Sequence, residues 1–458
     1  MAESTPTASA SPAPKQPAVG LVSVVIPAWN EAETMQELLG RIRAALEPLA
    51  RETEILVVVP SPEDPTAEAA RAGGATVIVQ MRPGYGGALK EGLLASRGEY
   101  VITMDADLSH PPEAIPQLLA HRHEAEVVIA SRYVAGGSAK MPSVRALLSR
   151  ILNLIYRRAL AVPIRDMSSG FRGYQRRILE ELVLESEKYD ILEEILVKSY
   201  SLGWHVLEIP FDYQQRAAGR SHANVVGFTP HFLGTLLRLW TMRNTYTSAD
   251  YDSRAYDSLV FPQRYWQRKR FKIVNQMAGN DSRRLDIGCG SSRIVQSRPE
   301  SVGLDLEVSK LRFLRRTNQR LVRSSCFRLP FRDHTFSAVV NSQLIEHVPY
   351  DRSLFLEMNR VLEPGGTLVI GTPDYGRAAW RIIEWLYKML LPYAYGDDHI
   401  TRYTRYRLTE ELASTGFAIL RYRYILGGEL IMQCVKREER RADARPSRRD
   451  GIPLPASN

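Results

Sequence analysis

Residues 100–112 read YVITMDADLSHPP. The run from Tyr100 to Met104 is apolar apart from Thr103 and predicts a buried strand. It ends in Asp105-Ala106-Asp107 and is stopped by Pro111 and Pro112. In open α/β sheets, ligands bind in the crevice beyond the carboxyl ends of the strands. Two carboxylates one residue apart at that place can hold a hard divalent cation between themselves and a diphosphate. The spacing by itself says little, because a chain this acidic contains roughly one D-x-D by chance. Asp250-Tyr251-Asp252 is a second instance, and nothing around it suggests a site. Placement at the end of a buried strand is what sets Asp105 and Asp107 apart.

The surroundings of that strand repeat the same pattern. LVSVVIP (21–27) is a strand, Ala28-Trp29-Asn30 a turn, and Met35, Leu38, Leu39, Ile42 and Leu46 then recur at helical spacing. EILVVV (54–59), TAEAARAGG (66–74), ATVIVQ (75–80) and GGALKEGLLASRG (86–98) continue the alternation. This rhythm implies a parallel sheet with right-handed crossovers. Longer amphipathic segments come next, VRALLSRILNLIYRRAL (144–160) and FLGTLLRLW (232–240). Residues 244–270, with NTYTSADYDSRAYDS and QRYWQRKR, break the rhythm and read as a linker. RRLDIGCG (283–290), SVGLDLE (301–307), FSAVVNSQ (336–343) and TLVIGTPD (367–374) then restart it.

The expected organisation is α/β throughout. It comprises a disordered leader (1–20), a first domain (21–243), a linker (244–270), a second domain (271–436) and a disordered basic tail (437–458). A chain of 458 residues supports two domains of this size. The net charge of +9 suits anionic partners such as nucleotide diphosphates, lipid phosphates or acidic membrane surfaces. No zinc-finger, RNP-like or bZIP pattern points to nucleic acid. Three cysteines, Cys289, Cys326 and Cys434, form no CxxC and no disulfide framework, which fits a reducing cytoplasm. No window of about 18 apolar residues would span a bilayer. The expected location is cytoplasmic, with room for peripheral contact at the inner face of the membrane.

SVVIPAWNEAETM (23–35), residues 84–115, IASRYVAGG (129–137), DMSSGFRGYQRRIL (166–179) and EIPFDYQQRAAGRS (208–221) together resemble a family 2 glycosyltransferase. The nearest branch is that of the dolichyl- or polyprenyl-phosphate mannosyltransferases. The resemblance implies a GT-A nucleotide-diphospho-sugar transferase fold and inverting transfer from a nucleotide-sugar donor. It implies that Pro27, Ala28 and Glu31 line a nucleoside pocket, with Asp64 in the same region. Asp105 and Asp107 would hold Mg2+ or Mn2+ and the sugar diphosphate. Arg132, Arg172 and Arg216 would neutralise a diphosphate or an acceptor phosphate, where planar guanidinium donors fit phosphate oxygens. Asp166 and Glu194 would sit near the sugar or the acceptor. A lipid phosphate acceptor needs no general base; for a hydroxyl, Asp166 is the candidate. Two departures stand out. Val59-Pro60-Ser61-Pro62 replaces an acidic pair and a Gly-Ser turn, and His222 stands where the family has a lysine.

RRLDIGCGSSRIV (283–295), VGLDLE (302–307), residues 327–348, MNRVLEPGGTLVIGTPDY (358–375) and DDHITRYT (397–404) resemble the class I S-adenosylmethionine-dependent methyltransferases, type 11 branch, with a Rossmann-like fold. By that resemblance Asp286, Gly288 and Gly290 bound the amino-acid end of S-adenosyl-L-methionine. Asp305 holds its ribose, and Asn341 lies near the methionine end. For a hydroxyl acceptor His347 and His399 are candidate bases; His347, in IEHV, equally reads as a residue that holds a loop. The segment from Trp380 to Gly396 reads as an acceptor lid or as packing.

The function so implied is bifunctional: sugar transfer to a polyprenyl phosphate or a glycan, and methylation of a related acceptor. A methyltransferase beside a non-catalytic sugar-nucleotide domain, and a glycan- or lipid-phosphate-binding module with neither activity, remain as alternatives. The oligomeric state is not legible.

Overall fold

A computed structural model of the chain describes residues 18–49, 52–140, 143–216, 225–280, 283–390 and 399–438. Most of the leader, His222 and all but the start of the basic tail lie outside the described residues. The chain divides into two compact units, with residues up to Asp257 in the first and most of the chain from Ser258 onward in the second.

The first unit begins with β1 (Ala18–Pro27), α1 (Ala32–Leu46), β2 (Thr53–Val59), α2 (Pro65–Ala72), β3 (Thr76–Val79), α3 (Gly84–Ala95) and β4 (Gly98–Thr103). Strand β1 thus begins at Ala18, inside the expected leader. On α1 the buried face is Met35, Leu38, Leu39, Ile42 and Leu46, the stripe that 3.6-residue periodicity places against a sheet. Each such side chain contributes about 1.5–3 kcal/mol on burial. The chain continues through α4 (Ile115–Ala120), β5 (Val127–Ser131), β6 (Ser138–Ala139), α5 (Ser143–Leu160), β7 (Arg172–Gln175), α6 (Arg176–Glu181), α7 (Ile191–Ser201), β8 (Val206–Pro210), β9 (Asp212–Tyr213), α8 (Val225–Arg243) and α9 (Tyr251–Tyr256).

Seven strands form one sheet in the order β3-β2-β1-β4-β7-β5-β8, and β6 pairs with β9 apart from it. The sheet is not wholly parallel, because β7 runs antiparallel to both β4 and β5. At four residues, β7 is too short for its direction to show in periodicity. The order reverses between β1 and β4, a switch point whose crevice opens beyond Pro27 and Thr103.

Gly173, in the middle of β7, lies under the ring of Tyr100. A Cβ there would come within 2.1 Å of the phenol oxygen and 2.5 Å of two ring carbons. Gly173→Ala is therefore expected to destabilise the first unit by about 1–3 kcal/mol, the usual range for overpacking. Chemical denaturation checks this.

The second unit opens with α10 (Phe261–Ala278), followed by β10 (Arg284–Ile287), α11 (Arg293–Gln296) and β11 (Val302–Asp305); α12 (Val308–Leu314), next in the chain, is grouped with the first unit, and the second continues through β12 (Leu321–Arg323), β13 (Phe336–Ser342), α13 (Ser353–Val361), β14 (Leu362–Pro373), α14 (Ala378–Leu390), α15 (Arg405–Ser414), β15 (Phe417–Ile425) and β16 (Glu429–Lys436). The sheet order is β12-β11-β10-β13-β14-β16-β15. The first five strands are parallel to one another, and β16 runs antiparallel between β14 and β15. The switch point falls at β10 and β13.

The segment expected to be a linker is largely helical. Ile273, Val274, Met277 and Ala278 of α10 pack in one cluster with Val340, Val369 and Ile431 of the sheet. Earlier in the helix, Trp266 and Arg270 both donate to the buried Glu429. Asp250, unremarkable in the sequence, accepts both Nη groups of the fully buried Arg243 at 2.6 and 2.7 Å. Charged side chains disguised these contacts as solvent-facing sequence.

Candidate functional site

At the switch point of the first sheet, short turns bring several carboxylates together. Ala28 is buried, its N–H donating to Val58 O, and Asn30 takes a left-handed φ of 58°. That turn presents Glu31, whose N–H donates to Thr66 Oγ1 at 2.9 Å. Burial pushes the Glu31 carboxyl up to about 7; Arg216 opposes the shift, while Asp107, Asp105 and Asp64 add to it.

Asp64 caps α2 by accepting from Thr66 N at 2.9 Å, and it also accepts from Asn30 N. Its carboxylate therefore shapes the turn that carries Glu31. With β2 ending at Val59, this is what the altered Pro60–Pro62 loop retains.

Beyond β4, Leu108 has a left-handed φ of 62°, so the chain turns sharply just after Asp107. Asp107 Oδ1 accepts from Ser109 N and Oγ, at 3.0 and 2.5 Å. Its Oδ2 accepts from Arg216 Nε at 2.9 Å, and Arg216 Nη1 reaches Glu31 Oε1 at 3.1 Å. Burial alone would raise the Asp107 carboxyl, but the Ser109 hydroxyl, His110 and Arg216 hold it below its ordinary range.

Asp105 is about one-third exposed at its side chain and accepts from Tyr85 Oη at 3.2 Å. Its own N–H donates to His110 Nδ1 at 2.9 Å. That bond places the His110 proton on Nε2, which lies 3.7 Å from Asp105 Oδ2. His110 is buried and stacks on Phe171 with centroids 5.2 Å apart. Neither Tyr85 nor His110 was expected from the sequence. His110 looks there like an ordinary turn residue before Pro111, and only the tertiary contact reveals its part.

The expected basic residues divide. Arg216 reaches the acidic cluster. Arg132 Nε and Nη2 are gripped by Asp166 Oδ2 and Oδ1 at 2.8 and 2.6 Å, and the Arg132 guanidinium lies 5.6 Å from the ring centroid of Tyr213. Asp166 is fully buried, and both of its oxygens are engaged by Arg132.

Arg172 lies elsewhere. It is fully buried and donates to Met167 O and Leu192 O at 2.6 and 2.7 Å, so its charge serves the core. Glu194 is also fully buried. It accepts from Glu185 N and Ser186 N and pairs with Lys198 at 2.7 Å, pinning the loop before α7.

In the second unit, the turn after β10 holds Gly288 at φ 68° and Gly290 at φ 53°, a conformation that disfavours side chains. A Cβ at Gly288 would also meet Leu344 at 2.8 Å. Gly290 N donates to Asp305 Oδ2 at 2.8 Å, tying the turn to the end of β11. Burial pushes Asp286 up to about 7, with Arg284 opposing it, and its Oδ2 has no hydrogen-bond partner among the described residues. Asn341 Nδ2 donates to Ile287 O at 3.4 Å, while its Oδ1 also lacks a partner among them. Orphaned buried polar atoms beside a glycine turn fit a polar ligand that supplies the missing bonds.

His347 and His399 meet edge to face at 4.8 Å. His399 also stacks on Trp380 at 6.1 Å and shares a 2.5 Å hydrogen bond between Nδ1 and Tyr375 Oη. Glu346 is fully buried beside them, with its carboxyl pushed up to about 8 by burial. Of the expected lid, α14 buries Trp380 but leaves Ile382, Trp385, Leu386 and Met389 exposed.

Residues 23–183 match the family model described as Glycosyl transferase family 2, and residues 285–370 match Methyltransferase domain. Over 210 residues the chain is 37% identical to a dolichol-phosphate mannosyltransferase of Pyrococcus furiosus, covering 44% of this chain and 58% of that protein. It is 35% identical to an undecaprenyl-phosphate 4-deoxy-4-formamido-L-arabinose transferase of Pseudomonas paraeruginosa, covering 44% of this chain and 60% of that protein. The chain thus spans somewhat over half the length of these curated relatives.

Among solved structures, it is similar to a glucosyl-3-phosphoglycerate synthase of Mycobacterium tuberculosis, with 22% identity, TM-score 0.39 and coverage of 48% of this chain and 80% of that one. It is also similar to a methyltransferase of Thermotoga maritima, with 16% identity, TM-score 0.33 and coverage of 40% and 98%. The chain carries in tandem a glycosyltransferase family 2 domain and a methyltransferase domain, two transferase modules of α/β architecture.

Proposed function

We propose that the chain is a bifunctional enzyme. Its first domain transfers a sugar, with inversion, from a nucleotide-sugar donor to a polyprenyl phosphate or a glycan, and its second methylates a related acceptor. The observation that carries the first activity is the gathering of Glu31, Asp105, Asp107 and Arg216 at the switch point of the first sheet. Asp105 and Asp107 would hold Mg2+ or Mn2+, which supplies positive charge to a departing nucleoside diphosphate. Asp105 suits this by its exposure and Asp107 by its low proton affinity.

Pro27, Ala28 and Glu31 would border the nucleoside, and the exposed indole of Trp29 offers a face to its base. Arg216 and the Asp166-braced Arg132 would meet phosphate oxygens. A phosphate acceptor is already an anionic nucleophile, which agrees with the engagement of Asp166 by Arg132.

A lipid-borne acceptor would be met at a surface. On α5, Leu147, Leu148, Ile151, Leu154 and Ile155 are exposed, and Arg150, Arg157 and Arg158 lie exposed on the same helix. Tyr156 Oη donates to Phe232 O and ties α5 to α8, where Leu233, Leu237 and Trp240 are exposed. Apolar faces edged with arginine favour peripheral contact with anionic bilayers. No helix of the described residues is long and apolar enough to cross a membrane.

In the second domain, Asp286, Gly288, Gly290, Asp305 and Asn341 would hold S-adenosylmethionine, which supplies a transferable methyl group. Its ammonium and sulfonium charges favour an ionised Asp286. Affinity for S-adenosylmethionine is expected to rise about tenfold as pH increases through 7, and Asp286→Asn should flatten that profile. Calorimetric titrations across the range measure it.

The sugar-transfer reading is tested by screening nucleotide sugars with Mn2+, with and without polyprenyl phosphate. Nucleoside diphosphate release that depends on the lipid phosphate supports it. Clear S-adenosylmethionine binding with no nucleotide sugar bound would leave only the methyltransferase at work.

A further inference from the structure

We propose that Glu346, His347 and His399 form a divalent transition-metal site in the methyltransferase domain, separate from the Asp105 and Asp107 pair. Each offers one ligand atom, and these atoms all lie within 4.8 Å of one another. The set is two imidazole nitrogens and one carboxylate oxygen, a combination that suits Zn2+, Co2+ or Fe2+ better than Mg2+ or Ca2+.

An independent observation points to a missing ligand. Glu346 is fully buried; its Oε2 accepts from Thr372 Oγ1 at 3.1 Å, but its Oε1 has no hydrogen-bond partner among the described residues. A buried carboxylate oxygen without a donor is costly, and a coordinated cation removes the cost.

The ligands are also held in place. Thr401 N donates to Glu346 O at 3.1 Å and Thr401 Oγ1 to Val348 O at 2.7 Å, clamping the chain just after His399 against the chain that carries Glu346 and His347. Tyr375 Oη shares a hydrogen bond with His399 Nδ1 and Trp380 stacks on the ring, which together fix the ring's orientation. When Nδ1–H donates to the Tyr375 oxygen, the lone pair sits on Nε2, the arrangement in which outer partners orient metal-binding histidines. Three protein ligands leave coordination positions for water or for an oxygen of a bound molecule. The site lies close to the glycine turn in the chain's path, since Leu344, which packs against Gly288, precedes Glu346 by two residues.

The test uses the tag-free chain, stripped with EDTA and titrated with Co2+ alone. Visible ligand-field bands should saturate at one equivalent and persist in Asp107→Asn. They should disappear, with affinity at least about tenfold weaker, in His347→Ala and His399→Ala. Tyr375→Phe keeps all three ligands and should weaken Co2+ binding by about 10–100-fold, a reading available even if a histidine variant fails to fold. Thermal melting should show Co2+ raising the wild-type transition but not that of His399→Ala. Absence of bands in the wild type, bands unchanged by the histidine variants, or Co2+ affinity unchanged in Tyr375→Phe would overturn the site.

Discussion

Asp107→Asn should reduce nucleoside diphosphate release from a nucleotide sugar by roughly 10²–10³-fold, the scale of losing one electrostatic partner of a developing charge. The substitution keeps the shape and leaves an oxygen for Ser109 to donate to, so the turn at Leu108 should survive. What it removes is the carboxylate charge that Ser109, His110 and Arg216 maintain. It also removes one side of the bridge that Arg216 makes between Asp107 and Glu31. Arg216→Lys is the informative companion. A lysine preserves the charge but cannot reach two carboxylates with one planar fork. It should cost about tenfold or more, the scale of one hydrogen bond to a charged group. Steady-state release of nucleoside diphosphate checks both. An Asp107→Asn protein with unaltered turnover would remove the acidic cluster from the chemistry.

The second large effect is on stability. Arg243 is fully buried, and its guanidinium meets both oxygens of Asp250, Ser248 Oγ at 2.7 Å and Leu160 O at 3.0 Å. Asp250→Ala leaves that guanidinium buried without its counter-charge and should destabilise the glycosyltransferase unit by about 3–5 kcal/mol. Replacing both partners, as Arg243→Met with Asp250→Leu, should be far milder, because no uncompensated charge remains.

The sign of the pH dependence comes from the same pair. Burial would raise the Asp250 carboxyl, but Arg243 holds it below the ordinary range. Its contribution is therefore complete above about pH 4 and is lost as pH falls through the depressed folded value. Denaturation curves at neutral and acid pH should show the wild type losing this increment and Asp250→Ala not losing it. Equal destabilisation by the single and double replacements would contradict the argument.

How much of this was legible in sequence depends on the range of the interaction. Strand ends at Pro27, Val59, Thr103 and Asp305 are set by local apolar runs, and so the placement of carboxylates at or just beyond those ends is legible. Arg172, Glu194 and Asp166 were identified by their place in motifs, yet a motif does not say which way a side chain turns. Arg172 turns into the core, Glu194 onto the backbone of its own loop, and Asp166 onto Arg132, 34 residues earlier. The same limit hid His110 and Tyr85, whose contacts with Asp105 are made only in the folded chain.

Residues 244–270 conceal tertiary contacts for another reason. Charged and aromatic residues at 261–270 read as solvent-facing, whereas Trp266 and Arg270 are drawn inward by Glu429, a buried carboxylate more than 150 residues away. The Pro60–Pro62 loop gained a clearer role from the structure. It leads into Asp64, which braces the turn that delivers Glu31.

The most direct measurement supplies the intact chain with a panel of sugar-labelled nucleotide sugars, Mn2+, polyprenyl phosphate and methyl-labelled S-adenosylmethionine, and tracks both labels. The account predicts that sugar label from one donor enters the lipid fraction, that Asp107→Asn abolishes its entry, and that methyl label is also transferred to a sugar-containing product. Methyl transfer with no sugar label leaving any donor would contradict it.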